Sequence, residues 1–326
     1  MLRRTLSALG LALLLCAPAG RAEAGSPGWQ AGSSGWRVVV ADQSSRRVFV
    51  LLGGRELMAY QGPDRLPVVW SWSADRAADV ADLSPARSWS NPDEAKSRIL
   101  RGRRHLLTTA GGGLAAVVDT ATGRTRWAAD LGPRANPHSI ELLPDGNVAV
   151  VASSGWVRVY AASQGPRATA YTEFGLPGAH GVALDGRSGL LWALGGGALV
   201  ALRVGGTPAA PTLTAARTVP LPDGGGHDLS PVRAAPGRFW LSTLRGLWQY
   251  DPAADRFTSV RLADPAAERD VKSIGDEPGT GRLLTVAPDH KAPCDWCTSV
   301  IRLHRPEGVR ILRGTLLYKA RWWGAR

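Results

Sequence analysis

The sequence predicts an all-β fold, a six-bladed β-propeller whose blades are antiparallel sheets of four strands. Long helical periodicity is absent, and 39 Gly and 23 Pro separate short runs rich in Val, Leu, Trp and Tyr. That pattern is typical of many short strands. A short segment also recurs about every 45 residues, a length that suits one four-stranded blade. Six repeats therefore predict a ring of six blades.

A basic residue marks each repeat at one position, near the start of its innermost strand. The chain has only four Lys against 35 Arg, so three Lys in one register is a selective use of that residue. The marked residues lie 42, 42, 47, 45 and 47 positions apart. They are Lys96, His138, His180, His227, Lys272 and Lys319.

The first repeat predicts how the ring closes. Its second, third and outer strands are expected over 37–41, 47–52 and 66–72, but no innermost strand precedes them. In the second repeat the innermost strand is expected to begin at Lys96. An unassigned strand over 317–323 carries Lys319 in the same register. We therefore expect this strand to complete the first blade, which removes the exposed sheet edges.

The termini predict the domain organisation and the destination of the chain. Arg3 and Arg4, an apolar run over 6–15 and the small residues Ala22 and Ala24 predict a secretory signal peptide over residues 1–24. A linker is expected over 25–36 and the propeller over 37–326. No stretch is long and apolar enough to predict a transmembrane segment. We expect a secreted, extracellular monomer.

The charge of the chain favours anionic partners. The formal net charge is +12, of which residues 1–24 contribute +2. Acidic glycans, cell-wall polymers and phosphates are attracted by such a surplus. An Arg-rich, Lys-poor bias in the composition of all proteins from the same source would produce the same surplus of charge. No clustered basic tract is present, so nucleic acid is not an expected partner.

The six marked residues predict a ring at one mouth of the central channel, with two possible chemistries. Three Lys and three His side chains would bind a carboxylate, sulfate or phosphate. Alternatively His138, His180 and His227 would hold a divalent metal as cofactor, with Glu141, Asp228 and Asp276 orienting the imidazoles. The Lys charges oppose a cation, which favours the anion. A polar channel lining without function is the remaining interpretation.

Two loops on the same face carry further candidate residues. The loop 75–93 is the longest in the chain and contains Trp89, and the loop 288–297 contains Trp296. An exposed Trp beside polar groups suits stacking on a sugar ring. Cys294 and Cys297 lie in the second loop, and in an oxidising compartment we expect a disulfide without redox function.

Three segments resemble those of secreted bacterial six-bladed propellers grouped as a family of unknown function. They are Asn136-Pro137-His138-Ser139-Ile140-Glu141, Gly178-Ala179-His180-Gly181 and Gly226-His227-Asp228-Leu229-Ser230. The chain is more loosely similar to the propellers of lactonases, streptogramin lyases and metal-dependent oligogalacturonate lyases. The resemblance implies the fold and no agreed activity.

Three functions follow from these observations. The leading interpretation is the binding of an anionic ligand, an acidic carbohydrate or cell-wall component, at the Lys/His ring. The alternatives are a metal-dependent lyase or hydrolase of acidic sugars, and a protein-interaction scaffold. Fold alone does not choose between them, and whether the chain is an enzyme is left open.

Overall fold

The computed structural model of the protein describes residues 37–52, 68–289 and 292–324, all within one unit that spans 35–326. Its strands form six four-stranded antiparallel sheets arranged as the blades of a propeller, which confirms the predicted fold class. The predicted signal peptide (1–24) and linker (25–36) lie outside the described residues. Residues 53–67, His290, Lys291 and the last two residues also lie outside them.

Each blade runs from an inner strand at the channel to an outer strand at the rim. The inner strands are β4 (Pro92–Leu100), β8 (Pro137–Leu142), β12 (Gly181–Leu184), β16 (Asp228–Pro231), β20 (Ser273–Asp276) and β24 (Leu317–Trp322). The second strands are β1 (Arg37–Asp42), β5 (Arg103–Ala110), β9 (Val148–Ala152), β13 (Leu191–Leu194), β17 (Phe239–Ser242) and β21 (Leu283–Val286).

The two remaining positions of each blade carry its more exposed strands. The third strands are β2 (Arg47–Leu52), β6 (Leu114–Asp119), β10 (Trp156–Tyr160), β14 (Ala198–Thr207), β18 (Leu247–Asp251) and β22 (Val300–His304). The outer strands are β3 (Val68–Trp72), β7 (Thr125–Asp130), β11 (Tyr171–Gly175), β15 (Ala210–Pro220), β19 (Arg256–Val260) and β23 (Gly308–Ile311).

Helical structure in the described residues is limited to single turns. The predicted loop 75–93 contains most of it. The 3₁₀ turns are Ala74–Arg76, Ala78–Leu83, Ala162–Gln164 and Pro265–Glu268, and the one α-helical turn is Pro85–Ser88. In the described part of the chain, none of these helices has the length or apolar character needed to cross a membrane.

The hydrophobic core is divided among the six interfaces between blades. Each interface holds its own cluster of buried side chains. The second strands are covered on both faces by neighbouring blades, which favours continuous apolar runs in their sequences. Strand β9 (Val148–Ala152), for example, is buried at every residue. The stability of a blade therefore depends on having a neighbour on each side.

The ring closes as the sequence predicts. Strand β24 pairs antiparallel with β1, with Val38 opposite Trp322 and Val40 opposite Ala320. The first blade thus combines the end of the described chain with its beginning, in the order β24-β1-β2-β3. Trp322 also packs in the cluster between the sixth and first blades.

One strand boundary differs from the prediction. Strand β4 begins at Pro92, four residues before Lys96. A bulge shifts the register between Pro92 and Glu94. The prediction placed the start of this strand at its basic residue, whereas pairing with β5 already begins at Pro92.

We predict that deleting residues from Leu317 onward abolishes cooperative unfolding. The deletion removes an inner strand, exposes the edge of β1 and uncovers the cluster around Val38 and Trp322. Calorimetry of the truncated and parent proteins measures the effect. A protein ending at Gly324 is the control and should melt like the parent; a truncation at Leu317 that also did so would contradict closure by β24.

Candidate functional site

The inner strands bring one side chain per blade to the mouth of the channel where these strands begin. In β4, β8 and β24, bulges at equivalent places align Asp93, His138 and Tyr318. The equivalent residues of the other blades immediately precede β12, β16 and β20. This mouth ring comprises Asp93, His138, His180, His227, Lys272 and Tyr318, spaced 45, 42, 47, 45 and 46 residues apart.

The structure places four of the six predicted basic residues in the mouth ring and two elsewhere. Lys319 lies one residue beyond Tyr318, and Lys96 lies three residues beyond Asp93. Both lysines are buried inside the channel. The predicted common register was therefore wrong at Lys96 and Lys319, because a search restricted to basic residues took them in place of Asp93 and Tyr318, which the strand pairing aligns with His138.

The imidazoles of the mouth ring contact one another. The rings of His138 and His180 are stacked, 4.3 Å apart at 11°, whereas those of His180 and His227 meet edge to face, 5.3 Å apart at 64°. Tyr318 also stacks on His138, with centroids 5.7 Å apart. These aromatic contacts hold the three imidazoles in place.

Backbone carbonyls fix the tautomers of two of these histidines. The Nδ1 of His180 donates to Gly178 O at 2.8 Å, and the Nδ1 of His227 donates to Gly225 O at 3.1 Å. Each Nε2 is therefore a hydrogen-bond acceptor. The Nε2 of His227 accepts from Lys272 Nζ at 3.0 Å.

His138 has polar neighbours on both sides of its ring. Asn136 Nδ2 lies 3.0 Å from its Nε2, and Asp93 Oδ2 lies 3.3 Å from its Nδ1. Thr109 Oγ1 donates to the other oxygen of Asp93 at 2.6 Å. The carboxylate at the mouth is thus held between a hydroxyl and an imidazole.

Burial keeps His180 and His227 neutral. It lowers the pKa of His180 from 6.5 to about 3, with a smaller contribution from His138. It lowers the pKa of His227 to about 4, aided by the charge of Lys272. Burial likewise lowers the pKa of Lys272, whose ammonium donates to Asp270 at 2.6 Å. The one lysine of the mouth ring is therefore already paired with a carboxylate.

The mouth ring does not fit the predicted metal site. The Nε2 of His227 already accepts a hydrogen bond from Lys272 Nζ at 3.0 Å. An ammonium at that distance repels a metal cation at the same nitrogen. Across residues 37–52, 68–289 and 292–324, no group of three or more His, Cys, Asp or Glu has a metal-binding arrangement. The carboxylates expected to orient the imidazoles, Glu141, Asp228 and Asp276, bind other groups.

A buried ionic network fills the channel behind the mouth ring. Arg321 donates to Glu94 through Nε and Nη2, both at 3.0 Å, and to Asp228 through Nη1 at 2.7 Å and Nη2 at 2.6 Å. Because these residues come from the first, second and fifth blades, one guanidinium connects three inner strands across the axis. We call Lys96, Lys319, Arg321, Glu94 and Asp228 the channel plug.

The two misplaced lysines belong to this plug. Lys319 Nζ donates to His138 O at 3.0 Å and lies 3.5 Å from both Glu94 and Asp228. Lys96 Nζ donates to Ser139 Oγ at 2.8 Å and to Val182 O. Burial lowers the pKa of Lys96 to about 8, and Glu94 opposes that shift. The ammonium groups of Lys96 and Lys319 already donate to oxygens of the protein, so they are not available to an anion at the mouth.

The other end of the channel opens into a large cavity of about 1040 Å³. It lies among the hairpins that follow the inner strands, on the face opposite the mouth ring. The charged residues that line it are Arg98, Arg101, Arg187, Arg233, Arg238, Glu141 and Asp185. We call it the arginine cavity.

Both acids of the arginine cavity are already engaged. Arg98 forms a bidentate pair with Glu141, with both distances 2.6 Å. Asp185 accepts from Arg187 N and Ser188 Oγ within its own hairpin. Burial lowers the pKa of Arg233 to about 10, and the neighbouring charge of Arg98 adds to the effect. Positive charge therefore exceeds negative charge in a partly desolvated space.

A smaller chamber of about 40 Å³ lies between the arginine cavity and the channel plug. It shares Arg98, Pro231 and Arg233 with the larger cavity. Its other lining residues include Lys96, Arg321, Ser230, Gly275 and Asp276. We call it the inner chamber.

The predicted aromatic residues have different surroundings. Trp89 is fully buried, packs edge-on against Trp72 and donates its Nε1 to Arg46 O at 2.8 Å. It is therefore a core residue and cannot stack on a ligand, because the turns of 74–88 cover it. Trp296 is 44% exposed, with its Nε1 on Gln43 Oε1 at 3.1 Å, so its predicted role stays open.

The two cysteines of the blade-six loop form a disulfide. Cys294 and Cys297 are bonded, with their Cα atoms 5.6 Å apart. The bond spans only three residues and fixes a local turn. The absence of a redox role remains a prediction.

Sequence reasoning missed Asp93, Glu94 and Tyr318, and it missed the arginines at the far end of the channel. Asp93 and Tyr318 complete a spacing near 45 residues, so a search not restricted to basic residues would have found them. The cavity arginines had a weaker signal: Arg101, Arg187 and Arg233 each follow an inner strand by one to three residues.

We predict that Arg321→Met destabilises the protein by roughly 3–5 kcal/mol, because it leaves Glu94 and Asp228 buried without their main cation. Urea denaturation at pH 7 measures this change. Arg256→Met, on the exposed outer strand β19, is the matched control and should change stability by less than about 0.5 kcal/mol. Equal stabilities for the two variants would contradict the assigned role of the plug.

We also predict that stability falls as pH drops from about 6.5 toward 4.5. The pKa of His180 (about 3) and of His227 (about 4) lie below the ordinary 6.5. In that interval the unfolded chain binds more protons than the folded one, so protonation favours unfolding. Each histidine contributes a slope of at most about 1.4 kcal/mol per pH unit.

The variants His180→Gln and His227→Gln separate this effect from that of other groups. His105 and His304 also have a lowered pKa and add to the slope in the parent. Urea denaturation between pH 7.5 and 4.5 should therefore give a shallower slope in each variant than in the parent. Identical slopes would show that the mouth histidines titrate normally.

Comparison with known proteins gives the fold and the family. No curated protein matches the chain by sequence. The chain is similar to a catalytically inactive variant of virginiamycin B lyase from Staphylococcus aureus with quinupristin, at 10% identity, TM-score 0.51 and 87% coverage of both chains. It is also similar to a streptogramin B lyase (14% identity, TM-score 0.48, 68% of this chain and 69% of that one).

A third solved structure, a protein of unknown function from Bacteroides caccae, shares 12% identity at TM-score 0.48, over 81% of this chain and 84% of the other. At these identities the likeness concerns the fold alone. A family model described as "Family of unknown function (DUF6528)" matches residues 38–324, nearly all of the described propeller. The chain therefore belongs to the DUF6528 family.

Proposed function

We propose that this protein binds a small organic anion and holds it in the arginine cavity. The observation that carries the proposal is the cavity itself, about 1040 Å³ in volume, with five arginines and two acids among the described residues that line it. Ligand cavities of small-molecule binding proteins are typically of about 300–1,000 Å³. The ligand class is the one expected from the sequence, but the site is at the opposite end of the channel.

The charges in the cavity support an anionic ligand. Glu141 pairs with Arg98, Asp185 accepts within its own hairpin and Arg238 pairs with Asp251 at 2.9 Å, and the five arginines of the lining still outnumber these three acids. Arg233 carries its charge in a largely buried position, which its lowered pKa of about 10 reflects. An anion there relieves repulsion between Arg98 and Arg233 and gains charge-assisted hydrogen bonds.

The walls of the cavity favour an organic ligand over a bare inorganic ion. Apolar side chains from four hairpins line it, among them Leu100, Leu143, Leu184, Val232 and Phe239. Its described lining contains no Trp or Tyr ring for stacking on a sugar. The predicted acidic carbohydrate or cell-wall component therefore remains one candidate beside apolar carboxylates and phosphates.

The alternative functions have less support. A metal-dependent lyase or hydrolase needs a metal site, and the mouth histidines are stacked and engaged in other contacts. The virginiamycin B lyase likeness, at 10% identity, concerns the fold and carries no activity to this chain. A pure scaffold needs neither a large cavity nor a surplus of arginine charge in its lining.

We also propose that the protein acts outside the cytoplasm, as a secreted monomer. This rests on residues 1–24 of the sequence, which have the charged, apolar and small-residue regions of a signal peptide. Mass spectrometry of the protein from its culture medium tests it. A mature N-terminus at Gly25 is the expected result, and retention of Met1 in the cytosolic fraction would contradict it.

We predict that organic anions raise the melting temperature of the protein and that Arg233→Met reduces this response. The probes are galacturonate, glucuronate, 2-naphthylacetate and 2-naphthyl phosphate, with galactose and 2-naphthol as uncharged partners. One charge-assisted contact contributes roughly 1.5–3 kcal/mol. Calorimetric titration should therefore show about 10- to 100-fold weaker binding of the best anion to the variant.

Matched substitutions locate the site. Arg256→Met removes one arginine from the outer strand β19 and should bind like the parent. Lys272→Met removes the lysine of the mouth ring and should do the same. Loss of binding in Lys272→Met with full binding in Arg233→Met would return the site to the mouth ring and refute the proposal.

A further inference from the structure

Two polar atoms of the mouth ring have no partner in the described part of the protein. The Nδ1 of His180 donates to Gly178 O, so its Nε2 carries a lone pair, and no described residue donates to it. The hydroxyl of Tyr318 forms no hydrogen bond with a described residue either, although only 6% of this side chain is exposed. A nearly buried polar group without a partner is costly, so water or a ligand is expected to complete both atoms.

A single imidazole holds both groups in place. The ring of His180 stacks on that of His138 at 4.3 Å and 11°, and the ring of Tyr318 stacks on it at 5.7 Å and 25°. His138 is itself fixed, because Asn136 Nδ2 lies 3.0 Å from its Nε2. The two unpartnered groups are therefore positioned before a ligand arrives, which lowers the entropy cost of binding. His180 is partly exposed, so a ligand at the mouth can reach it.

Charges of both signs around the mouth disfavour a charged ligand. Asp93 and Asp270 oppose an anion. Lys272 opposes a cation, and so does Lys319 behind the ring, whose Nζ lies 5.9 Å from the centroid of the Tyr318 ring. Burial raises the pKa of Tyr318 well above 10, and the charges of Asp93 and Asp270 add to this effect. The phenol and the neutral imidazoles therefore suit an uncharged ligand.

The two unpartnered groups differ in what they offer, and a hydroxyl group satisfies both. The Nε2 of His180 only accepts a hydrogen bond, whereas the phenol of Tyr318 can donate one. A ligand hydroxyl donates to the first and accepts from the second. Asp270, whose side chain is 35% exposed, offers a further acceptor to a compound with several hydroxyl groups.

An exposed tryptophan beside the mouth favours a sugar among such compounds. The backbone of Thr298 pairs with that of Leu317, at 2.7 and 3.1 Å, directly before Tyr318. This pairing holds the loop of Trp296, which is 44% exposed, against the start of β24. A Trp ring provides a face on which a sugar ring can stack. The described lining of the arginine cavity contains no such ring.

We propose that the mouth ring is a second ligand site, which binds an uncharged sugar through His180 and Tyr318. The site goes beyond the proposed function, because it lies at the opposite end of the channel and none of its residues lines the arginine cavity. The channel plug lies between the two sites. A sugar at the mouth and an anion at the far end can therefore be bound at the same time.

Tyr318→Phe is the variant that tests the site. It removes the hydroxyl and keeps the ring that stacks on His138. Because this hydroxyl bonds to no described residue, the variant should melt like the parent. Tyr171→Phe is the matched control, since it removes the hydroxyl of a 48% exposed ring on the outer strand β11, at the rim of the propeller.

The probes are galactose, galacturonate and 6-amino-6-deoxygalactose, which share one ring and differ in the charge of one substituent. In protein with isotope-labelled histidine, the NMR signal of His180 Nε2 reports directly on a hydrogen bond to that atom. The chain has six His, and His180→Gln identifies the signal. We expect galactose to move this signal and to bind there about tenfold more tightly than either charged sugar.

The variants show whether Tyr318 takes part. Tyr318→Phe should bind galactose about 2- to 10-fold more weakly than the parent, which is the loss of one neutral hydrogen bond. Tyr171→Phe should bind it like the parent. Equal galactose affinities of Tyr318→Phe and the parent would contradict the role of Tyr318.

The outcomes separate this inference from the anion site. If galactose leaves the His180 signal unchanged, the mouth ring is not a sugar site, while the arginine cavity is tested separately by Arg233→Met. If a charged sugar moves the signal as strongly as galactose, the uncharged class is wrong. The choice of the parent among the three sugars needs no variant, so the inference stays testable even if Tyr318→Phe fails to fold. Arg233→Met keeps the mouth ring, so it should bind galactose like the parent and lose only its response to anions.

Discussion

The guanidinium of Arg321 is the contact on which the rest of the channel depends. It binds Glu94 and Asp228 with four hydrogen bonds, and all three side chains are nearly or fully buried. Both carboxylates would otherwise lie in a water-poor channel, where an unpaired charge is costly. Because its partners sit on the second and fifth blades, the contact connects strands that share no backbone hydrogen bonds. It also divides the channel into two ends that can differ in chemistry.

The two ends of the channel use opposite electrostatic arrangements. At the mouth ring, burial keeps His180 and His227 neutral, and Lys272 is matched by Asp270. At the far end, arginines outnumber acids and the acids are occupied within the protein. We therefore propose the far end, rather than the mouth predicted from the basic residues, as the site of an anion.

The fold could be predicted because its signals are local and repeated. Short apolar strands, turn residues and a period near 45 residues recur six times, and the orphan strand at 317–323 had no other blade to join. The site instead depends on strand pairing and on contacts between residues that are far apart in the chain, which no local or repeated pattern reveals. The strand pairing aligns Asp93, not Lys96, with His138, and one partner of Arg321, Asp228, lies more than 90 residues away along the chain. Trp89 seemed loop-borne by sequence, yet three short helical turns bury it.

The position of Arg321 in β24 has a consequence for the timing of folding. A growing chain makes Glu94, then Asp228, and only some 90 residues later the cation that both require. Until then the first five inner strands place two carboxylates on an axis that has no guanidinium to receive them. The channel therefore assembles after synthesis of residue 322, and earlier intermediates lack its central contact.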